Sequence, residues 1–225
     1  MKAVRFSQFG GPEVLEIVDL PDPHPGPGQV RIAVRAAGVN PSDWKKRKGL
    51  MDRELPQTLG HEAAGAVDEL GEGVADVAVG DRVFGLSAEG AAQAELAVLS
   101  YYAPIPPSLD FPGAAALPAA IETATRALDQ LGAGSGVLPE LIELAGGAAH
   151  VVTIADFGGA QEHGVRFSSG DAGRAVHALG EIGELIESGR FALPVAQTFP
   201  LAEVAGAHRV SEQGHVRGKL VLLVG

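Results

Sequence analysis

The chain contains no cysteine. It can form no disulfide framework, offers no thiolate nucleophile and supplies no cysteine ligand to zinc, which removes several enzyme classes. It also lacks a long apolar run. The stretches 113–121 and 220–224 are too short or too rich in alanine and proline to cross a bilayer, and the N-terminus has no signal-peptide pattern, so a cytoplasmic location is expected. Positive charge is scarce: 17 Lys and Arg face 28 Asp and Glu, a formal net charge of -11. That balance argues against nucleic acid or an anionic membrane as a general partner, while leaving room for a local basic pocket.

What is present is enough apolar material, 46% of 225 residues, to bury the core of one large or two small domains. The 31 glycines and 15 prolines punctuate short strands, predicted at 1–6, 15–18, 30–38, 64–70, 82–86 and 93–99, a spacing that suggests a barrel or sandwich. The proline-rich segment 21–28 reads as a stiff surface connection. From about residue 112 to 131 Ala and Leu recur at helical spacing, predicting two helices interrupted near Pro118. Beyond them the pattern predicts a helix over 138–144, strands at 151–154 and 165–167, and an amphipathic helix over 173–188. A helix over 201–212 and an apolar strand over 219–224 close the chain.

Five pieces stand in order along the chain: Gly10-Gly11-Pro12-Glu13-Val14-Leu15, Gly38-Val39-Asn40-Pro41-Ser42-Asp43, Gly60-His61-Glu62-Ala63-Ala64-Gly65, Val79-Gly80-Asp81-Arg82-Val83-Phe84-Gly85 and Gly214-His215-Val216-Arg217-Gly218-Lys219. Together they resemble the zinc-independent, quinone oxidoreductase-like branch of the medium-chain dehydrogenase/reductase family. The resemblance covers most of the chain and is densest over the first 130 and last 30 residues. It implies a mixed α/β fold, a GroES-like β-barrel catalytic domain with a truncated remnant of a Rossmann-type α/β domain. The implied segments are 1–122 for the catalytic domain, 123–173 for the nucleotide-domain remnant, and 174–225 for a return to the catalytic domain.

Zinc-dependent members carry Cys where this chain has Asn40 and use the His of the Gly-His-Glu motif as a second ligand. His61 alone does not make a zinc site, so no metal is expected. His61 reads first as a structural residue near the pocket wall, and second as a direct participant. The resemblance assigns catalytic positions to Asn40, Asp43 and Thr123 and cofactor contacts to Asn40, Thr123 and Lys219. An amide can donate to a carbonyl or to a nicotinamide carboxamide, and a carboxylate can orient its neighbours. Each residue also has a plainer reading: an Asx-turn for Asn40 and Asp43, a backbone hydrogen bond for Thr123, an exposed turn charge for Lys219. The run Lys45-Lys46-Arg47-Lys48 reads first as a solvated helical face, and second as a partner for an anionic group such as a cofactor phosphate. Lys45 stands where many relatives carry a Tyr near the substrate.

A nicotinamide-dependent reductase needs a strand, a glycine-rich turn and a helix whose first amides meet the pyrophosphate. Here Gly132, Gly134 and Gly136 follow no apolar strand, so they read as a linker. A gap near 132–137 explains the pattern, with two or three strand-helix units of roughly 30 residues each missing. An engineered deletion, a natural truncation or an omitted segment would each leave this pattern. The expected function is an NADPH-dependent reductase of a small quinone or enone-type substrate by hydride transfer, impaired or inactive without the glycine motif. The alternative is a non-catalytic catalytic-domain module, or deletion derivative, that binds small apolar ligands or self-associates. Removing half a parallel sheet would expose surface through which the chain could form a homodimer.

Overall fold

Alternation along one long strand shows how the central sheet is built. In β3 (Val30–Val39), Val30, Ile32 and Val34 are buried while Arg35 is exposed, the period of two expected of a half-covered strand. From Ala36 onward every residue is buried, and only small side chains fit. A computed structural model describes residues 1–88, 90–129, 138–153, 157–168 and 173–225.

In chain order the other strands are β1 (Lys2–Phe6), β2 (Glu16–Asp19), β4 (Gln57–Thr58), β5 (Glu62–Leu70), β6 (Arg82–Leu86), β7 (Leu96–Leu99), β8 (Tyr101–Pro104), β9 (Val152–Thr153), β10 (Arg166–Phe167), β11 (Val195–Pro200) and β12 (Lys219–Leu223). The helices are α1 (Pro41–Arg47), α2 (Phe111–Ala115), α3 (Pro118–Asp129), α4 (Leu138–Ala145), α5 (Phe157–His163), α6 (Ala178–Glu187) and α7 (Val204–Glu212). The chain divides into two units, Met1–Ala119 with Leu179–Gly225, and Ala120–Ala178.

The first unit is a GroES-like β-domain. Its seven-stranded sheet runs β11-β12-β3-β5-β6-β8, with β7 also paired to β3 and a three-stranded sheet β2-β1-β4 beside it. The C-terminal strand β12 pairs antiparallel with β3, Leu220 opposite Val39 and Val221 opposite Gly38, so the chain's tail closes on its first segment. One core gathers Val30, Ile32, Val67, Val83 and Leu99; another gathers Val4, Phe6, Leu59, Leu220 and Leu222. Each fully buried aliphatic side chain is worth about 1.5–3 kcal/mol relative to exposure. Gly65 and Gly85 lie where a Cβ would strike the backbone of the adjacent strand, at Ala33 and Tyr101 respectively.

The second unit holds a partial Rossmann-type sheet: among the described residues, its strands are β9 and β10, paired in parallel. Leu138, Val151 and Val165 form its small core. The junction expected at 132–137, with Gly132, Gly134 and Gly136, lies outside the described residues. Among the described residues no helix is long and apolar enough to cross a membrane.

Several expected elements are corrected. The helix predicted over 173–188 begins only at Ala178: Gly173 adopts a left-handed φ of 77°, and residues 173–177 form irregular backbone and a turn. The strand predicted from Gln93 begins at Leu96; Gln93 instead turns its side chain into the core. The basic run is not a solvated face throughout. Arg47 is completely buried, its guanidinium donating to the Gly10 carbonyl oxygen at 2.6 Å and pairing with Glu212 of α7.

Candidate functional site

The site grows from the end of β3. Pro41 opens α1 at the first helical position, where its missing N–H costs nothing, and its fixed φ suits the helix. Asn40 is the N-cap, and three residues on Asp43 accepts the Asn40 backbone N–H through Oδ2 at 2.8 Å. This local capping is the plainer of the two readings of Asp43, and it fixes where the Asn40 side chain emerges.

The Asn40 carboxamide is held from both ends. Its Nδ2 donates to Glu62 Oε1 at 2.8 Å, and its Oδ1 accepts from Lys219 Nζ at 2.7 Å. Lys219 in turn pairs with Glu62 at 2.6 Å. Glu62, the first residue of β5, is fully buried, and its other oxygen accepts the Ala119 N–H at the start of α3 at 2.6 Å. One carboxylate therefore ties together β5, the cap of α1, β12 and the first turn of α3. Such a charge is tolerable in a dry interior only because an ammonium and two N–H donors surround it. Gly38 makes room for it, since a Cβ there would overlap the Glu62 carboxylate.

Amide orientation follows from this network. With Nδ2 committed to a carboxylate and Oδ1 to an ammonium, Asn40 keeps one N–H and one lone pair for other partners. Asn40 and Lys219 line a cleft of about 180 Å³ with Val39, Pro41, Val216 and Leu220. Its lining is mostly apolar, with polar groups from Asn40, Lys219 and Ser211 of α7.

Behind Asn40, Asp43 is entirely buried. Burial pushes its carboxyl up to about 6; the Asn40 N–H opposes that, Glu62 adds to it, and Lys219 and Lys46 pull the other way. Gln93 Nε2 donates to Asp43 Oδ2 and to the Gly38 carbonyl oxygen, both at 3.2 Å. A second buried group joins α1 to α7: Arg47 Nε donates to His208 Nδ1 at 3.3 Å. Burial, with the Arg47 charge beside it, lowers His208 to about 3, so the ring is neutral and carries its proton on Nε2.

Of the positions singled out in the sequence, Asn40, Asp43 and Lys219 thus come together in the first unit. Lys219 is buried and paired, unlike the exposed turn charge considered for it. Thr123 belongs to the second unit, on α3, where its hydroxyl donates to Glu122 Oε2 at 3.4 Å. His61 is half-buried, and its carbonyl oxygen accepts the Ser87 N–H at 2.9 Å. Among the described residues no three His, Cys, Asp or Glu side chains converge as metal ligands. Sequence reasoning passed over Glu62 and Gln93. The available signal was a carboxylate followed directly by the apolar run Ala63 to Val67, with polar residues returning in the strand only at Asp68 and Glu69.

Two family profiles match in tandem: the alcohol dehydrogenase GroES-like domain over residues 26–115 and the zinc-binding dehydrogenase over 118–222. The chain belongs to the quinone oxidoreductase-like medium-chain dehydrogenase/reductases. Quinone oxidoreductase from Rattus norvegicus is 42% identical over 133 residues, 57% of this chain and 40% of that protein. The corresponding protein of Lama guanicoe gives the same figures. The matched stretch therefore spans less than half the length of these curated relatives. Among solved structures, the quinone oxidoreductase of Coxiella burnetii superposes with a TM-score of 0.82 at 25% identity, covering 100% of this chain and 99% of that one. The Escherichia coli quinone oxidoreductase, solved in complex with NADPH, shares the fold with a TM-score of 0.74 at 20% identity over 100% of both chains. The tail strand β12 lies in the first unit, where its pairing with β3 brings Lys219 to Asn40.

Proposed function

We propose that the first unit retains the nicotinamide and substrate side of an NADPH-dependent quinone or enone reductase, and that turnover by this chain is impaired or absent because the dinucleotide grip is missing. The observation that carries this reading is the Asn40 carboxamide, clamped by Glu62 and Lys219 and presenting one donor and one acceptor at a mostly apolar cleft. That edge is complementary to another carboxamide, and a cleft of about 180 Å³ suits a single ring better than a whole dinucleotide. The named relatives, quinone oxidoreductases including one solved with NADPH, support the same assignment.

A reduced nicotinamide, when bound, supplies the hydride; the protein's part is orientation and polarisation. Asn40 would hold the carboxamide. Glu62 and Lys219 fix Asn40, and Asp43 secures the turn from which it projects. Thr123, in the second unit, keeps only the cofactor contact that the family pattern implies for it. The acceptor is a small, largely apolar quinone or enone, in keeping with the mostly apolar lining.

The second reading, a non-catalytic module, is favoured by one observation: among the described residues the second unit has only the pair β9 and β10 as its parallel sheet. Saturation-transfer NMR with reduced nicotinamide mononucleotide separates the two. The reductase-derived site transfers saturation to the nicotinamide ring, and Asn40→Ala weakens binding by about tenfold, the loss of one or two hydrogen bonds. A signal that is absent, or identical in Asn40→Ala, would favour the module.

A further inference from the structure

The packing behind Asn40 contains an anomaly that the proposed function does not use. Two buried acceptor atoms, Asp43 Oδ1 and Gln93 Oε1, have no hydrogen-bond donor. Buried polar atoms are nearly always paired, and an unpaired acceptor costs on the order of a hydrogen bond. Here two of them belong to side chains that already touch, because Gln93 Nε2 donates to Asp43 Oδ2 at 3.2 Å. In each group the orphaned oxygen is bonded to the same carbon as the atom that makes this contact. The contact is thus an N–H···O bond flanked, in each planar group, by an oxygen that lacks a donor.

We propose that Asp43 carries a proton on Oδ1 and donates it to Gln93 Oε1, closing a two-bond acid–amide ring that holds the Asn40 turn. A single proton then satisfies both orphaned atoms, and the amide orientation already required by the Gly38 carbonyl oxygen is the one the ring needs. The surroundings favour it. Asp43 has no exposed surface, and the carboxylate of Glu62 on β5 repels a second negative charge. Lys219 on β12 and Lys46 on α1 act in the opposite direction, but Lys219 is already committed to Glu62 and Asn40. The shift of the Asp43 carboxyl to about 6 agrees with the geometry.

The consequence concerns positioning. Asp43 Oδ2 accepts the Asn40 backbone N–H, so the ring anchors the residue whose side chain edges the cleft. Asp43 is accordingly a positioning residue acting through Asn40. It holds its proton in a bond to Gln93, away from the cleft.

The test needs no ligand and stands apart from the proposed function. Infrared spectra of the wild-type protein labelled with ¹³C-aspartate, recorded at about pH 5, report an un-ionised carboxyl where an ordinary aspartate of pKa about 3.9 is charged. A labelled carboxylic-acid carbonyl band is expected, absent in Asp43→Asn and shifted to a freer carbonyl in Gln93→Met. Asp43→Asn keeps the ring, with its amide N–H in place of the acid proton, and should melt no lower than wild type. Its advantage should grow as pH rises through about 6. A wild-type spectrum without the labelled acid band would overturn the proposal, leaving an ionised Asp43 with a bridging water. A band unmoved in Gln93→Met would overturn the ring.

Discussion

Asp43 and His208 are buried titratable groups whose effects on stability run in opposite directions. Asp43 is raised from 3.8 to about 6. Its favourable contribution is complete below the unfolded value and is lost as pH rises through about 6, a loss of about 3 kcal/mol. His208 is lowered from 6.5 to about 3, so its contribution is present above the unfolded value and disappears as pH falls toward 3. The two slopes oppose each other between about pH 4 and 6, and the wild-type protein should show a shallow dependence there. Asp43→Asn removes one slope and exposes the other. Chemical denaturation of the variant should show stability rising steadily from about pH 4 to 6.5, whereas a profile parallel to wild type would contradict the assignment of Asp43. Asn40 and Asp43 were picked out by the family resemblance, with an Asx-turn as the plainer reading; the helix that Asn-Pro-Ser-Asp opens was not predicted. Gln93 was not legible, since nothing local says that an isolated glutamine will turn inward.

The joint between α1 and α7 shows what a short element can conceal. Four consecutive basic residues, Lys45 to Lys48, span more than a helical turn, so they cannot all face water on a helix that packs against another. Arg47 is the one turned inward, where Glu212 and the Gly10 carbonyl oxygen receive its donors. Glu212→Ala leaves that guanidinium buried without its counter-charge and should cost about 3–5 kcal/mol in urea denaturation. A loss within about 0.5 kcal/mol, the usual effect of a surface substitution, would mean Arg47 is solvated after all. The Gly38→Ala substitution in β3 tests the site from the sheet side. Its methyl group competes with Glu62 for space, so a loss of about 1–3 kcal/mol is expected, with weaker nicotinamide binding. Elements with strong periodicity, such as β3, α3 and α7, could be read directly. Several others escaped the periodicity reading, among them β8, which is only four residues ending in Pro104, and α5, which Gly158 and Gly159 mask.

At the scale of the whole molecule, the return of the tail to the first segment was legible from the family resemblance and from an apolar run that needs a partner strand; that the partner is β3 was not. The central claim is that this chain keeps a nicotinamide-sized site at Asn40 and lacks the grip on the rest of the dinucleotide. If so, the adenosine half of NADPH adds nothing to binding. The decisive measurement is a parallel titration with NADPH and reduced nicotinamide mononucleotide, followed by nucleotide fluorescence and melting temperature. Similar affinities in the range of about a millimolar, with a cooperative melt retained, are what the account predicts. NADPH saturating at about micromolar concentration while the mononucleotide binds orders of magnitude more weakly would contradict it, because a working dinucleotide site would then be present.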